Sequence, residues 1–432
     1  MNRFLERIAE RLIRTGTLKI TDPKGTTRTF GDGTGKPVHL NIKTKHAERA
    51  IAFHPTLALP EAYMDGEIDF LEGDVLSLLQ TVYQNMSPSG FDAALSRAVE
   101  GLRLAFRRLQ QINTAARSRE NVRRHYDLSG ELYRLFLDQD MQYSCAYFER
   151  PDMTLDEAQL AKKRHIAAKM KMRPGLSVLD IGSGWGGLGL YLARAFEAEV
   201  LGVTLSTEQH AVSTERAHEA RLDHRAHFEI KDYRSLSERF DRIVSVGMFE
   251  HVGVNHYRTF FNKAATLLKP DGVMVLHSIG RSGPPTATAA FIRKHIFPGG
   301  YIPALSEVLP HIEKAGLMVA DVEILRLHYA ETLKNWRERF MANRDKAKAI
   351  YDERFCRMWE FYLAGSEAAF RWQDLMVFQI QLTHRNDTLP ITRDYIAKCE
   401  KTLAMHEHAH GPVMAEPAPP KTRRRRNVSE KK

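Results

Sequence analysis

Residues 177–193 read SVLDIGSGWGGLGLYLA, and this stretch decides the fold. Val178, Leu179 and Ile181 form a short apolar run, glycines follow at 182, 184, 186 and 187, and Leu188 to Ala193 read as a helix. The pattern is strand, tight turn, helix. Glycines in such a turn let a ligand approach the backbone, and the free N–H groups of the following helix favour a negative group. A G-x-G-x-x-G alone is shared by nicotinamide, flavin and S-adenosylmethionine folds. Asp180, at the strand end, can take hydrogen bonds from the turn or from a ligand ammonium group. The next strand candidate, Glu199–Val203, ends in Thr204 and Leu205, where a dinucleotide site wants a carboxylate for its ribose. A nicotinamide oxidoreductase is therefore the weaker reading.

Outward from the glycine turn, strands are predicted at Glu199–Val203, His227–Ile230, Arg242–Val246 and Gly272–His277, with helical stretches between them. Leu317–Leu325 and Leu375–Thr383 supply two more. Alternation of this kind specifies a parallel sheet covered on both faces, with ligands at the carboxyl ends of its strands. Those ends carry Gly182, Gly184, Thr204, Asp232, Gly247, Glu250 and His277.

At 432 residues the chain is long enough for about two or three domains. Its 43% hydrophobic and 27% charged residues are ordinary for a globular protein. No run has the length of a membrane span, and the first residues, MNRFLERIAERLIRTG, lack the apolar segment of a signal peptide, so a cytoplasmic location is expected. Cys145, Cys356 and Cys399 are odd in number and far apart, which argues against a disulfide framework and a structural zinc site. His406, His408 and His410 alternate in HEHAH, but no metal is expected. Of the net charge of +10, a large part sits in the tail 411–432, where seven Lys and Arg face two Glu. Such a tail reads as disordered, either simply solvated or drawn to an anionic membrane surface or to nucleic acid.

Residues 1–95 read as an N-terminal domain: an amphipathic helix with Phe4, Leu5, Ile8, Leu12 and Ile13 on one side, a small β unit from Gly16 to about Phe53, then helices through Gln84. The helix can pack on its own domain or dock on lipid. An Arg-rich helical linker is expected over 96–124, and a catalytic domain over 125–410. That domain opens with Tyr126, Tyr133, Phe136, Tyr143, Tyr147 and Phe148, enough aromatic surface to wall an apolar pocket or cap a cofactor.

The stretches HYDLSGELYRLFLDQDMQYSCAYF, VLDIGSGWGGL, GVTLSTEQ, VGMFEHVG, LHSIG, FPGGYIP and LHYAETL carry a resemblance over nearly the whole chain except the tail. It resembles the cyclopropane-fatty-acyl-phospholipid synthases, which are related to mycolic acid cyclopropane synthases. The resemblance implies a class-I S-adenosylmethionine methyltransferase fold, Rossmann-like, with a mostly parallel seven-stranded sheet. It implies transfer of the sulfonium methyl to a cis double bond of an acyl chain in a membrane phospholipid, and ring closure by loss of a proton. The base is then a bicarbonate ion, contacted by Cys145, Glu250, His277, Ile279 and Tyr329. For the cofactor, the resemblance places Tyr143 and Ser144 over S-adenosylmethionine, Gly182 and Gly184 beside its methionine portion, Thr204 and Gln209 near the ribose, and Asp232 toward the adenine. Aromatic faces suit a sulfonium and a carbocation, with Tyr126, Tyr133, Phe136, Tyr143 and Trp185 as candidates.

Without the motifs, Cys145 reads as a small buried hydrophobe, Ile279 and Tyr329 as packing, and Glu250 with His251 as flanking the next helix. Position 183 is Ser where many relatives have Cys. Ser366 stands where some relatives carry a cysteine. The expected partners are unsaturated phospholipids at the inner face of a membrane, bound peripherally, and a second copy in a homodimer; no nucleic acid is expected. A methyl- or methylene-branched product, a free or sphingolipid-bound chain as substrate, and a catalytically silent lipid-binding module are the alternatives.

Overall fold

The computed structural model describes residues 1–86 and 129–410. The expected linker at 96–124, the domain end at 95, Tyr126 and the basic tail at 411–432 lie outside the described residues.

Helix α1 (Arg3–Leu12) starts where the side chain of Asn2 accepts hydrogen bonds from the N–H groups of Phe4 and Leu5. Its apolar face is spent on its own domain, because Leu5, Ala9 and Ile13 are buried with Leu18, Ile20, Val38 and Leu40. Any contact of α1 with lipid is left to its outer side, where the exposed rings of Phe4 and Phe53 stack at 5.6 Å. Strands β1 (Leu18–Thr21), β2 (Thr27–Phe30), β3 (Val38–Ile42) and β4 (Ile68–Glu72) form a sheet in the order β2-β1-β3-β4. Strand β4 departs from the expectation of helices alone after Phe53. Its five residues are too short to show a period against the helices α2 (Lys45–Phe53), α3 (Pro55–Met64) and α4 (Val75–Asn85) around it. Gly66 and Gly73, both at positive φ, turn the chain into and out of this strand.

The larger unit holds β5 (Ser177–Ile181), β6 (Glu199–Thr204), β7 (Ala226–Ile230), β8 (Phe240–Val246), β9 (Leu268–Arg281), β10 (Met318–Leu325) and β11 (Leu375–Thr383). Their order is β10-β11-β9-β8-β5-β6-β7. All neighbours are parallel except β11, which runs antiparallel to both β9 and β10. This is the expected mostly parallel seven-stranded sheet. Strand β5 lies between β6 and β8, so the glycine turn opens near the middle of the sheet's carboxyl edge.

One face of the sheet packs on the Tyr257–Leu267 and Leu305–Lys314 helices through Phe249, Tyr257, Phe260, Phe261 and Ile312. The other packs on the Leu155–Lys169 and Gly187–Phe196 helices through Ile166, Met170, Tyr191 and Leu192. A third cluster, rich in aromatics, joins the segment after Gly130 to the His328–Ala342 and Glu353–Trp372 helices. Each fully buried large apolar side chain there, such as Phe136, contributes about 1.5–3 kcal/mol. The N-terminal unit is tied to the same Glu353–Trp372 helix. Tyr63 Oη donates to Glu360 Oε2 (3.0 Å), and Arg357 donates to the carbonyls of Tyr63 and Ile68 (3.2 Å each) and to Asp69 Oδ1 (3.0 Å).

Candidate active site

A cavity opens at the carboxyl ends of β5, β6 and β8, and Tyr143, Ser144, Asp180, Gly182, Gly184, Thr204, Gln209 and Asp232 all line it. The eight residues expected around a cofactor are thus brought together from four separate stretches of chain. Gly182 sits at φ +83°, and a Cβ there would meet Met248 Cβ at 2.8 Å, so only glycine lets the turn close. Thr204 Oγ1 donates to Gln209 Oε1 (2.8 Å), which leaves the Gln209 amide as a donor. Asp232 lines the cavity, but both of its oxygens are engaged by Arg234, with Nε to Oδ1 at 2.9 Å and Nη2 to Oδ2 at 2.6 Å. Asp180 is buried at the end of β5, and burial pushes its carboxyl up to about 7, while Lys162 nearby favours the ionised form.

The five residues expected around a base lie beside this cavity rather than in its wall. The N–H of Ile279 donates to Glu250 Oε1 at 2.6 Å. Glu250 is buried, and its second oxygen, Oε2, has no hydrogen-bond partner among the described residues. Ser278 is near enough to favour the ionised acid, yet its hydroxyl donates to the Ile279 carbonyl (3.0 Å). Burial dominates and raises the Glu250 carboxyl to about 7. Cys145 and Tyr329 are buried in the aromatic cluster, and Ile279 packs against it. His277 precedes Ile279 by two positions on β9, so both side chains are on one face of the sheet. Its ring Nδ1 is 3.1 Å from Gln379 Nε2, and burial holds the imidazole neutral, well below its usual pKa. Burial also pushes the Cys145 thiol far up, so it remains a thiol and hydrogen-bonds the Ala146 carbonyl (3.3 Å).

Ring contacts link the two groups, since Trp336 touches both Tyr143 and Tyr329, the latter at 5.8 Å. Tyr143 stacks on Trp336 (5.1 Å) and meets Tyr133 edge-on (5.2 Å), and Tyr133 is 4.8 Å from Trp185. The Tyr143 and Tyr362 hydroxyls are 2.9 Å apart. Trp336, Tyr362, Gln379 and Lys162 are site residues that the sequence did not single out; each sits in an unremarkable helix or strand. Among the described residues no group of three His, Cys, Asp or Glu side chains could hold a metal ion.

Ser366 lies on the Glu353–Trp372 helix, half-buried, and makes no polar contact among the described residues. Ser366→Ala is expected to keep the protein's activity within about twofold, as for substitutions away from a site. A folded variant with most activity lost would overturn this.

A family model described as mycolic acid cyclopropane synthetase matches residues 113–380, and a domain of unknown function matches residues 5–90. The chain is 37% identical over 346 residues to the cyclopropane-fatty-acyl-phospholipid synthase of Escherichia coli, covering 80% of this chain and 87% of that protein. It is 40% identical over 325 residues to a probable fatty acid methyltransferase of Pseudomonas putida, covering 73% and 80%. Among solved structures, the cyclopropane synthase MmaA2 of Mycobacterium tuberculosis is 37% identical, with a TM-score of 0.59, over 61% of this chain and 97% of that one. A mycolic acid cyclopropane synthase complexed with SAH and CTAB is 36% identical, with a TM-score of 0.58, over 61% and 97%. With its seven-stranded sheet and glycine turn, the chain belongs to the mycolic acid cyclopropane synthetase family and is an enzyme of the class-I S-adenosylmethionine-dependent methyltransferase fold.

Proposed function

We propose that the protein adds a methylene group from S-adenosylmethionine to the cis double bond of an unsaturated acyl chain in a membrane phospholipid, forming a cyclopropane. The observation that carries this reading is the orphaned Oε2 of Glu250, a buried acceptor beside an aromatic wall and next to the cavity of the glycine turn. A buried acceptor without a donor fits a small protic ligand. When bound, S-adenosylmethionine supplies an electrophilic methyl group, and bicarbonate supplies a base small enough for this space.

The chain's own residues do the rest. Tyr133, Tyr143, Trp185 and Trp336 exclude water and present π faces where positive charge develops. Ile279 N–H fixes Glu250 through Oε1, which leaves Oε2 to accept a proton or a hydrogen bond. Neutral His277, with Cys145 and Tyr329 of the adjoining aromatic cluster, orients what binds there. Fixed geometry of this kind is what general-base catalysis requires. The deciding experiment incubates the protein with S-adenosylmethionine and unsaturated phospholipid vesicles, with and without bicarbonate. Cyclopropyl proton signals in the NMR spectrum of the lipid are the expected result, and they should weaken when bicarbonate is removed.

A second reading is a methyl- or methylene-branched product, favoured by relatives named as a probable fatty acid methyltransferase and a tuberculostearic acid methyltransferase. New olefinic signals without cyclopropyl ones would establish a methylene branch.

No helix among the described residues is long and apolar enough to cross a membrane, so access to the lipid is proposed from the surface of its inner face. Arg3, Arg7 and Arg14 are exposed on or just after α1, the helix that carries Phe4, and the tail adds further positive charge. Binding to anionic vesicles should fall as salt shortens the Debye length from about 10 Å to about 3 Å. Salt-insensitive binding would exclude charge-assisted docking.

A further inference from the structure

Lys162 lies on the Leu155–Lys169 helix, lines the cavity of the glycine turn and is completely buried. Its Nζ donates to Gln142 Oε1 (2.6 Å) and to Ser144 Oγ (2.8 Å). An ammonium carries three protons, so one is left over. Among the described residues no carboxylate is within ion-pair distance of Lys162, whereas its neighbour Lys163 pairs with Asp140 at 2.5 Å. A buried cation held only by neutral oxygens is costly unless an anion joins it.

Ser144 completes the arrangement. A lysine can only donate, so Ser144 Oγ is the acceptor in that contact and its own proton remains to be given. No acceptor for it is present among the described residues. Two donors, one of them charged, therefore stand side by side in the wall that also carries Gly182, Gly184 and the acid Asp180. Gln142 keeps Lys162 in place, since its amide donates onward to Asp140 Oδ2 (3.0 Å). Gly187 makes room for this chain, because a Cβ there would lie 2.3 Å from Gln142 Nε2.

We propose that Lys162, together with Ser144, binds the carboxylate of the cofactor's methionine portion, while Asp180 on the same wall faces the ammonium group. A zwitterionic amino acid head is then read by one buried group of each sign. Burial loosens the proton of Lys162, with Asp138 and Asp140 opposing; a ligand carboxylate restores it. The inference rests on the reading that this cavity takes S-adenosylmethionine.

The test measures binding of S-adenosylhomocysteine and of its decarboxylated analogue to the full chain by calorimetry, with Lys162→Met and Lys162→Gln beside the wild type. The wild type is expected to prefer the carboxylate form by about 10- to 100-fold, as for a hydrogen bond to a charged group. In either variant that folds, by circular dichroism, the preference should shrink to within about threefold. Equal weakening of both ligands would make Lys162 a structural strut and overturn the assignment. So would a wild type that binds both ligands equally, whatever the variants do. A variant that keeps the preference but needs more bicarbonate for turnover would move the lysine to the other anion. If the wild type binds neither ligand, the cofactor reading fails and takes this one with it.

Discussion

Glu250→Gln is expected to lower turnover by about 10³-fold, within the range for loss of a general acid–base group, while S-adenosylhomocysteine affinity stays within about twofold. The fold should survive, because a glutamine can offer its carbonyl oxygen to the Ile279 N–H, which now donates to Oε1 at 2.6 Å. The change falls on the other oxygen. Oε2, a buried acceptor without a hydrogen-bond partner among the described residues, becomes an NH2 group that can only donate. The pH profile supplies a second readout. Burial pushes the Glu250 carboxyl up to about 7, against the pull of its own N–H and that of Ile279. The ionised form is the acceptor, so wild-type turnover should rise through pH about 7 and level off above it, at constant bicarbonate concentration. The residual activity of Glu250→Gln should lack that limb. His277→Ala should lose most activity yet keep the limb, since burial holds this imidazole neutral throughout. Wild-type turnover in Glu250→Gln would remove Glu250 from the chemistry.

The parts of the fold legible in the sequence are those whose signal is local. The glycines at 182, 184 and 186 are all at positive φ, a demand that only the residue type announces. Strands β5, β8, β9 and β11 read as apolar runs because both faces of the sheet are covered there, whereas the edge strands β7 and β10 are mixed in sequence and partly exposed. Strand β4 is short and surrounded by helices, so its pairing with β3 depends on a partner 30 residues away. The site divides in the same manner. Asp180, Gly182, Gly184, Thr204 and Asp232 sit at or just past strand ends, where the topology gathers them, while Tyr143, Ser144 and Gln209 reach the same cavity from a loop and a helix. Lys162 and Lys163 stand in the run KKRH, four consecutive titratable residues whose burial no local pattern announces. They are buried because the Leu155–Lys169 helix is enclosed by the sheet and the Asp394–His410 helix; Lys162 meets only neutral oxygens, while the charges after it meet acids from other parts of the chain. Asp140 takes Lys163, Glu407 takes Arg164 (3.3 Å), and Glu323 (2.8 Å) and Glu400 (2.5 Å) flank His165. No periodicity within one helix can predict such pairing. Asp232 shows the converse: it is at the expected place, but its own neighbour Arg234 occupies its oxygens, which only the structure reveals.

Asp140→Ala should cost about 3–5 kcal/mol of stability near neutral pH, the penalty for removing one partner of a buried ion pair. Asp140 is 5% exposed and accepts from Lys163 (2.5 Å), from Arg216 and from Gln142 (3.0 Å). Its removal leaves Lys163, 1% exposed, without a carboxylate. Burial alone would raise the Asp140 pKa, but Lys163 and Arg216 outweigh it and hold the carboxyl below its ordinary range. A depressed native pKa gives stability that is present above the unfolded value of about 3.9 and is lost as pH falls through the native one. The gap between wild type and Asp140→Ala should therefore be full near neutrality and close in acid. Asp138 works in the opposite direction: burial, and then the charge of Asp140, raise its pKa, so the variant recovers part of that cost. Asp140→Asn keeps an acceptor for Gln142 without the charge and should fall between the two. Urea unfolding over this pH range reads the difference directly, and an unchanged midpoint in Asp140→Ala would show that the pair contributes nothing. The same loss should reach the site. Arg216 also donates to the Trp185 carbonyl (2.7 Å), and Gln142 holds Lys162, so a folded Asp140→Ala should bind S-adenosylhomocysteine more weakly while the ionisation of Glu250 stays where it was.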